Sequence, residues 1–334
     1  MAIHNFTHQG NESRRTHDGA PDCKLTLLSG VEYGRLFQQV RRSNLLQSPI
    51  YAKTARLVYN QTASPYLLEY NGEKAAIALV LEVGIFKNAV HGVILDRGPL
   101  WLGHYGSADH VCAFFERFNA HYPSRFGRRR RILPECPERT SYLQVLQKSG
   151  LKHLPNRPGY QTIWLDLSKQ EEALRSGLKG KWRNALRKAE KSDLSVSWSA
   201  GIKQAALILA CHNQGKTVKQ YQGTSLKTLS VLCRQAVEHK SLLSGVARLN
   251  GQIVAGVIFL RHGLAATYQV GWTSARGRAV NANHLLLWEG LLSLKNEGTQ
   301  DLDLGGVNDT DAAGVKRFKQ GLGGELVQLV GQYK

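Results

Sequence analysis

The sequence predicts an α/β protein made of two copies of one module. Three observations lead there. The chain has 334 residues, enough for two domains. Asn-Gly stands between two apolar runs in each half, at Asn71-Gly72 and again at Asn250-Gly251. Each pair is followed by the same succession, a further β-like run and then a helical pattern.

In chain order, Met1–Lys24 is polar, with His, Asn, Gly and Arg where the apolar core of a secretion signal would stand. It is expected to be a flexible leader outside the fold. Gly30–Asn44 has a helical pattern. Tyr66–Tyr70 and Ala75–Val83 flank the first Asn-Gly and predict a hairpin, because a type I′ turn needs positive φ at both central residues. His91–Leu95 continues the sheet, and Ala108–His121 is helical. Arg128–Arg131, with Arg125 beside it, is either an anion-binding patch or a solvated strand edge. His153–Tyr160, with Pro155 and Pro158, has the composition of a crossing between halves. The expected domains are therefore 25–155 and 156–334.

The second half opens on an alternating strand, Thr162–Leu167. Ser168 and Glu171 have the spacing of a capping box, and the helix they begin is expected to run to about Lys191. Leu174, Leu178, Trp182, Ala185 and Ala189 would be its buried stripe. Lys179, Arg183, Arg187 and Lys191 recur every four residues on another face, broadened by Lys181 and Lys188. No Asp or Glu lies between 179 and 188, so phosphate contact is favoured over a merely solvated basic face. Helices follow at Lys203–Gln214 and Ser225–Lys240. The second hairpin joins Leu243–Leu249 to Ile253–Leu260, and Ala265–Trp272 continues the sheet. The helix Asn281–Glu297, a short strand Asp301–Leu304 into Gly305-Gly306, and a last strand Leu326–Val330 complete the order.

Charge and motif content narrow the chemistry. The formal net charge is +19, from 44 Lys and Arg against 25 Asp and Glu, which points to a polyanionic partner. RNA, an anionic membrane surface touched peripherally, and phosphorylated small molecules all satisfy that reading. The five cysteines are scattered with no CxxC pair, against a disulfide framework or a zinc site and in keeping with a reducing cytoplasm. No apolar run reaches membrane-spanning length. There is no G-x-S-x-G, H-E-x-x-H or G-K-(S/T) motif, and no metal site is expected. Asp301 and Asp303, two apart on a strand, face one side and are expected to satisfy turn donors rather than bind metal. His284 is expected to be structural.

Several stretches resemble the FemABX family of aminoacyl-tRNA-dependent aminoacyltransferases. KGKWRNALRKAEKSDLSV (Lys179–Val196) is similar to the family's K-x-R-x-x-(I/L)-R-K-A segment. NHLLLWEGLLSLKNEGTQDLDLGGVN (Asn283–Asn308) resembles its late helix and D-L-G-G turn. GVKRFKQGLGGE (Gly314–Glu325) resembles F-K-x-x-(F/L)-G-G, while LLQSPIYAKTAR (Leu45–Arg56) and DRGPLW (Asp96–Trp101) add matches in the first half. The resemblance implies two tandem GNAT-like domains, each a mixed, mostly antiparallel sheet flanked by helices. It also implies an acyltransferase that moves an aminoacyl group from a charged tRNA to an amine on a small molecule or peptide, often a peptidoglycan precursor. Aminoacyl-tRNA would be the co-substrate, with no resident cofactor.

Residue by residue, the resemblance implies that Lys319, beside Phe318, stabilises charge developing on the ester. Tyr268 would line the acceptor channel, with plain core packing as the equal alternative. Lys53 and a basic residue of the Lys179–Lys191 helix, such as Lys179, Arg183 or Arg187, would hold acceptor phosphates. Apart from the resemblance, the loop-borne Asp311 is a candidate to orient the attacking amine. The donor alternative is acyl-CoA or acyl carrier protein. A CoA-binding GNAT loop reads (Q/R)-x-x-G-x-(G/A), whereas Ser274-Ala275-Arg276-Gly277-Arg278-Ala279 keeps the small residues but begins with serine. Arg276 and Arg278 are the basic groups such a loop would offer.

Overall fold

A computed structural model of the chain describes residues 22–86, 88–157, 159–219, 223–307 and 313–334, so Asp311 lies outside the described residues. The first half runs β1 (Cys23–Leu27), α1 (Gly30–Phe37), α2 (Pro49–Tyr59), β2 (Thr62–Tyr70), β3 (Glu73–Ile85), β4 (Val90–Gly98), β5 (Leu100–Trp101), α3 (Ala108–His121), β6 (Arg128–Pro134) and α4 (Thr140–Lys148). The second runs β7 (Gln161–Asp166), α5 (Glu171–Gly177), α6 (Gly180–Glu190), β8 (Leu194–Ser199), α7 (Ile202–Lys219), α8 (Leu226–Glu238), β9 (Leu242–Leu249), β10 (Gln252–His262), β11 (Ala265–Thr273), α9 (Ala275–Ala279), α10 (Ala282–Asn296), β12 (Asp301–Asp303), α11 (Ala313–Gln320) and β13 (Glu325–Gln328).

The repeat is present. β1-β2-β3-β4 is an antiparallel meander to which β6 adds in parallel, and β8-β9-β10-β11 is another to which β12 adds in parallel. Two helices separate the first and second strands of each meander, and α3 or α10 makes each parallel crossover. β7 and β13 widen the second sheet by antiparallel pairing beyond β12. Both hairpins turn as the sequence predicts, with φ of 51° and 82° at Asn71 and Gly72 and 52° and 76° at Asn250 and Gly251. No helix among the described residues is long and apolar enough to cross a membrane.

One expected helix is two. α5 ends at Gly177, Leu178 is extended (ψ 135°), and α6 restarts at Gly180. Ser168 caps neither; its hydroxyl is held by the Asp166 carboxylate, and the α5 N-cap is Gln170. Tertiary packing makes the break. Leu178 and Trp182 enter the core, the Lys179 N–H donates to the Gly321 carbonyl at 2.9 Å, and the Arg183 guanidinium donates at 2.8 Å to the freed carbonyls of Ser176 and Leu178. The buried stripe continues through Leu186 rather than Ala185.

The Gly321-Leu-Gly-Gly324 turn fits against this break. A Cβ at Gly321 would stand 2.3 Å from the Trp182 ring, and one at Gly323, where φ is +80°, would stand 2.2 Å from the Gly177 carbonyl oxygen. Gly323→Ala is therefore expected to cost about 1–3 kcal/mol from overpacking plus a backbone penalty, seen as a lowered urea midpoint with unchanged slope. An unchanged midpoint would mean that α5 and the turn are not packed as described.

The halves share buried contacts. Leu45 and Ile50 enter a cluster with Leu229, Leu232, Val246 and Leu260. Arg41 and Arg42 both pair with the fully buried Asp301. Leu329–Tyr333 returns to the first half: Tyr333 bridges to Ile132 and His153, and Val330 and Tyr333 sit in the first-half core.

Candidate active site

The site is built where β12 meets α11. Gly305, two residues past β12, has φ +73° and lies close to Tyr268 and Lys319; a Cβ there would be 3.2 Å from the Tyr268 carbonyl oxygen and 3.6 Å from Lys319 Nζ. α11 directs its two signature residues apart. Phe318 packs on Trp182 of α6 and His284 of α10, at centroid distances of 6.0 and 4.9 Å. Lys319 turns inward and is only 7% exposed. Its Nζ donates to the Gly306 carbonyl at 3.0 Å and stands 5.8 Å from the Tyr268 ring centre. Burial pulls its pKa down to about 8, with Asp303 pulling the other way. His284, between the Trp182 and Phe318 rings, is held neutral by burial, its pKa lowered to about 4.

Tyr268 is a wall of this site and also a packing residue. Its ring lies 5.5 Å from Phe259, and its hydroxyl occupies the space a Cβ at Gly271 would need. The glycine of Tyr268-Gln-Val-Gly271 is thus what admits the tyrosine in this rotamer.

Beside Lys319 a buried polar network joins the two halves. Arg97 of β4 donates to both oxygens of Glu135, at 2.8 and 2.7 Å, and to Asp303 Oδ2 at 2.9 Å. Its guanidinium lies 4.8 Å from the Tyr160 ring centre. Asp303 also receives the Thr162 hydroxyl and the Gly305 N–H. Burial alone would raise the Asp303 carboxyl, but Arg97 and these hydrogen bonds hold it below the usual range. The two strand aspartates share one side of the strand, as expected, and both are committed to arginines of the first half; Asp303 satisfies the turn donor at Gly305, whereas Asp301 is taken up by Arg41 and Arg42 instead of a turn. Among the described residues no cluster of His, Cys, Asp and Glu could hold a metal ion.

On the first sheet, next to Arg97 in sequence, Asp96 borders a cavity of about 510 Å³ with Tyr51, Tyr59, Gln61, Arg129 and Arg131. The arginine run alternates across β6. Arg128 and Arg130 turn to His91, Asn119 and the Tyr122 carbonyl, while Arg129 and Arg131 border the cavity and Arg131 pairs with Asp96.

The other expected binding residues are spread more widely. Lys53 on α2 is exposed and meets His239, the C-cap residue of α8, at 3.0 Å. Lys179 and Arg187 are exposed on α6, next to α11, but Arg183 is engaged with the backbone at the helix break. Arg276 and Arg278 lie on α9, bonded to Gln252 and the Thr273 carbonyl. There the Gly277 N–H is already taken by the Ser274 hydroxyl at 3.1 Å, and Gly277 packs against the Val254 carbonyl. Sequence reading assigned no role to Arg97, Glu135 or Tyr160; only the DRGPLW match marked the first of them.

Residues 176–320 match a family model described as an acetyltransferase (GNAT) domain, a stretch that takes in α6 through Lys319. No curated protein matches the chain by sequence. The crystal structure of FemX is similar over 93% of this chain and 96% of its own, with TM-score 0.76 and 16% identity. The C-terminal domain of a putative lysylphosphatidylglycerol synthetase from Agrobacterium fabrum aligns over 91% of this chain and 92% of its own, with TM-score 0.52 and 14% identity. A tandem GNAT protein of the clavulanic acid biosynthesis pathway covers 93% and 98%, with TM-score 0.50 and 10% identity. The chain therefore has the fold of tandem GNAT acyltransferases. Within that class its form is FemABX-like.

Proposed function

We propose that this protein transfers an aminoacyl group from a charged tRNA to an amine acceptor, a small molecule or peptide such as a peptidoglycan precursor, in the cytoplasm. The observation that carries the reading is the Lys319 ammonium, desolvated between Tyr268 and the Gly305-Gly306 backbone. An aminoacyl ester is already activated, so the protein needs to position the reactants and stabilise an oxyanion, not supply a nucleophile. The acceptor amine attacks the ester carbonyl. The C–N bond forms while Lys319 donates to the carbonyl oxygen as it gains charge. The C–O bond to ribose then breaks, and the ribose hydroxyl leaves with the proton that the amine gives up.

Other features fit the two substrates. The exposed Lys179, Lys181, Arg187, Lys188 and Lys191 of the α6 region lie beside α11 and suit a phosphate backbone. The arginine-bordered cavity on the first sheet suits an anionic acceptor. At α9, Gly277 has no N–H left for a pyrophosphate, which supports an ester donor over acyl-CoA. The acetyltransferase match at 176–320 favours a second reading, N-acylation from acyl-CoA or acyl carrier protein.

Incubation with pools of radiolabelled aminoacyl-tRNAs and an amine library is expected to give labelled amide. Absence of transfer from every charged tRNA, together with thermal stabilisation by CoA esters, would replace the first reading with the second. The pH profile carries a further expectation. Only the ammonium form of Lys319 acts, and its pKa is lowered to about 8, so kcat/KM should fall as pH rises through that value. A plateau extending well above pH 8 (about 10) would mean that the lysine is not the charged participant.

A further inference from the structure

One end of the first sheet carries an apolar cluster that neither core uses. Ile85, Phe86 and Val90 of the β3–β4 hairpin are 55%, 81% and 53% exposed, and Phe126, in the loop before β6, is fully exposed. Scattered apolar residues on a surface are ordinary, whereas a contiguous patch calls for an occupant. Here the loop and the hairpin are adjacent. The Arg125 guanidinium donates to the carbonyls of Asn88 and Ala89, and the His91 N–H donates to the Gly127 carbonyl at 2.8 Å, tying loop to hairpin. Ile85 pairs with Val90, Val83 with Gly92, and Gly92 with Arg129. Paired positions share a face, so Val83, Ile85, Val90, Arg129 and Arg131 all stand on one side of the sheet.

The charge around this tip has one sign. Arg125, Arg129 and Arg131 are exposed, and neither 83–95 nor 117–134 contains an Asp or Glu. The flanking carboxylates are engaged: Glu82 by Ser64, Tyr122 and His91, and Asp96 by Arg131. An apolar tip beside the Arg125 and Arg129 guanidinium groups is complementary to a surface that is anionic at its boundary and apolar beneath. A nucleic acid would engage the arginines and could stack bases on the phenylalanines, but it has no use for the exposed aliphatic side chains of Val83, Ile85 and Val90, which suit acyl chains.

We infer that this end of the first sheet docks on an anionic lipid bilayer. Phe86 and Phe126 enter the boundary between headgroups and acyl chains, and Arg125 and Arg129 lie against lipid phosphates. The cavity bordered by Arg129 and Arg131 opens on the same face of the same strands, so a docked protein has it close to lipid-borne substrates. The docking stands apart from the transferase reading and is tested without an activity assay.

Full-length protein is sedimented with vesicles of phosphatidylcholine, with and without phosphatidylglycerol. Binding is expected only to the anionic vesicles, weakening with salt. Phe86→Ser with Phe126→Ser should lower it at least about tenfold, as should Arg129→Glu. Thermal melts of these variants should match the parent, because the three side chains are exposed. Failure to bind anionic vesicles overturns the inference, as does binding that the phenylalanine pair leaves unchanged. Binding to tRNA is expected to survive the phenylalanine substitutions. Its loss together with vesicle binding would make the patch a nucleic-acid surface and also overturn the inference.

Discussion

Lys319→Ala is expected to lower kcat/KM by about 10²–10³-fold, the range found when a single oxyanion donor is removed. The variant should still fold, because alanine takes away a charge that is costly to desolvate and leaves Phe318, which anchors α11 on Trp182 and His284, in place. The measurement is amide formation from charged tRNA, with circular dichroism as the folding control. A folded variant with parental activity would remove Lys319 from the reaction. Lys319→Arg should recover little, since a longer planar group does not fit between Tyr268 and the Gly305-Gly306 backbone.

Arg97→Ala should be the most destabilising single change in the network, about 3–5 kcal/mol, because it strands the buried carboxylates of Glu135 and Asp303. Urea unfolding would show it. In the variant, burial raises both carboxyls with no guanidinium to oppose it, so lowering the pH should recover part of the loss as they take up protons. Glu135→Gln combined with Asp303→Asn in the Arg97→Ala background should recover more. A loss under about 1 kcal/mol would mean that water reaches the network and screens it.

What the sequence made legible depended on how local the cause was. Asn-Gly dictates its own turn, so both hairpins and the repeat around them could be read directly. The α5–α6 break has no local signal strong enough to see. It exists because Trp182 and Leu178 enter the core and the glycine turn at 321–324 presses on Gly177, all of it long-range. The same event diverts Arg183: its four-residue spacing suited a phosphate stripe, but its guanidinium caps the carbonyls that the break leaves open. Ser168 had the right spacing for a capping box and a stronger acceptor, Asp166, two residues away.

For the candidate site, motif likeness pointed to Phe318, Lys319 and Tyr268, and the structure brings Lys319 and Tyr268 together, with Phe318 anchoring the helix that carries Lys319. It could not find the partners of Arg97, because Glu135 and Asp303 lie 38 and 206 residues along the chain and only the packing of the two halves unites them. The arginine run was ambiguous for a simpler reason: strand alternation sends its members to opposite faces, so Arg128 and Arg130 are tied to His91, Asn119 and the Tyr122 carbonyl while Arg129 and Arg131 border the cavity.

The return of Leu329–Tyr333 to the first half has a consequence for biosynthesis. The Ile132 edge and the pocket around Cys136 receive Tyr333 and Val330, which emerge from the ribosome after nearly all of the second module. The amino-terminal module is therefore translated early and completed late: until Val330 and Tyr333 are made, its core lacks two of its buried members.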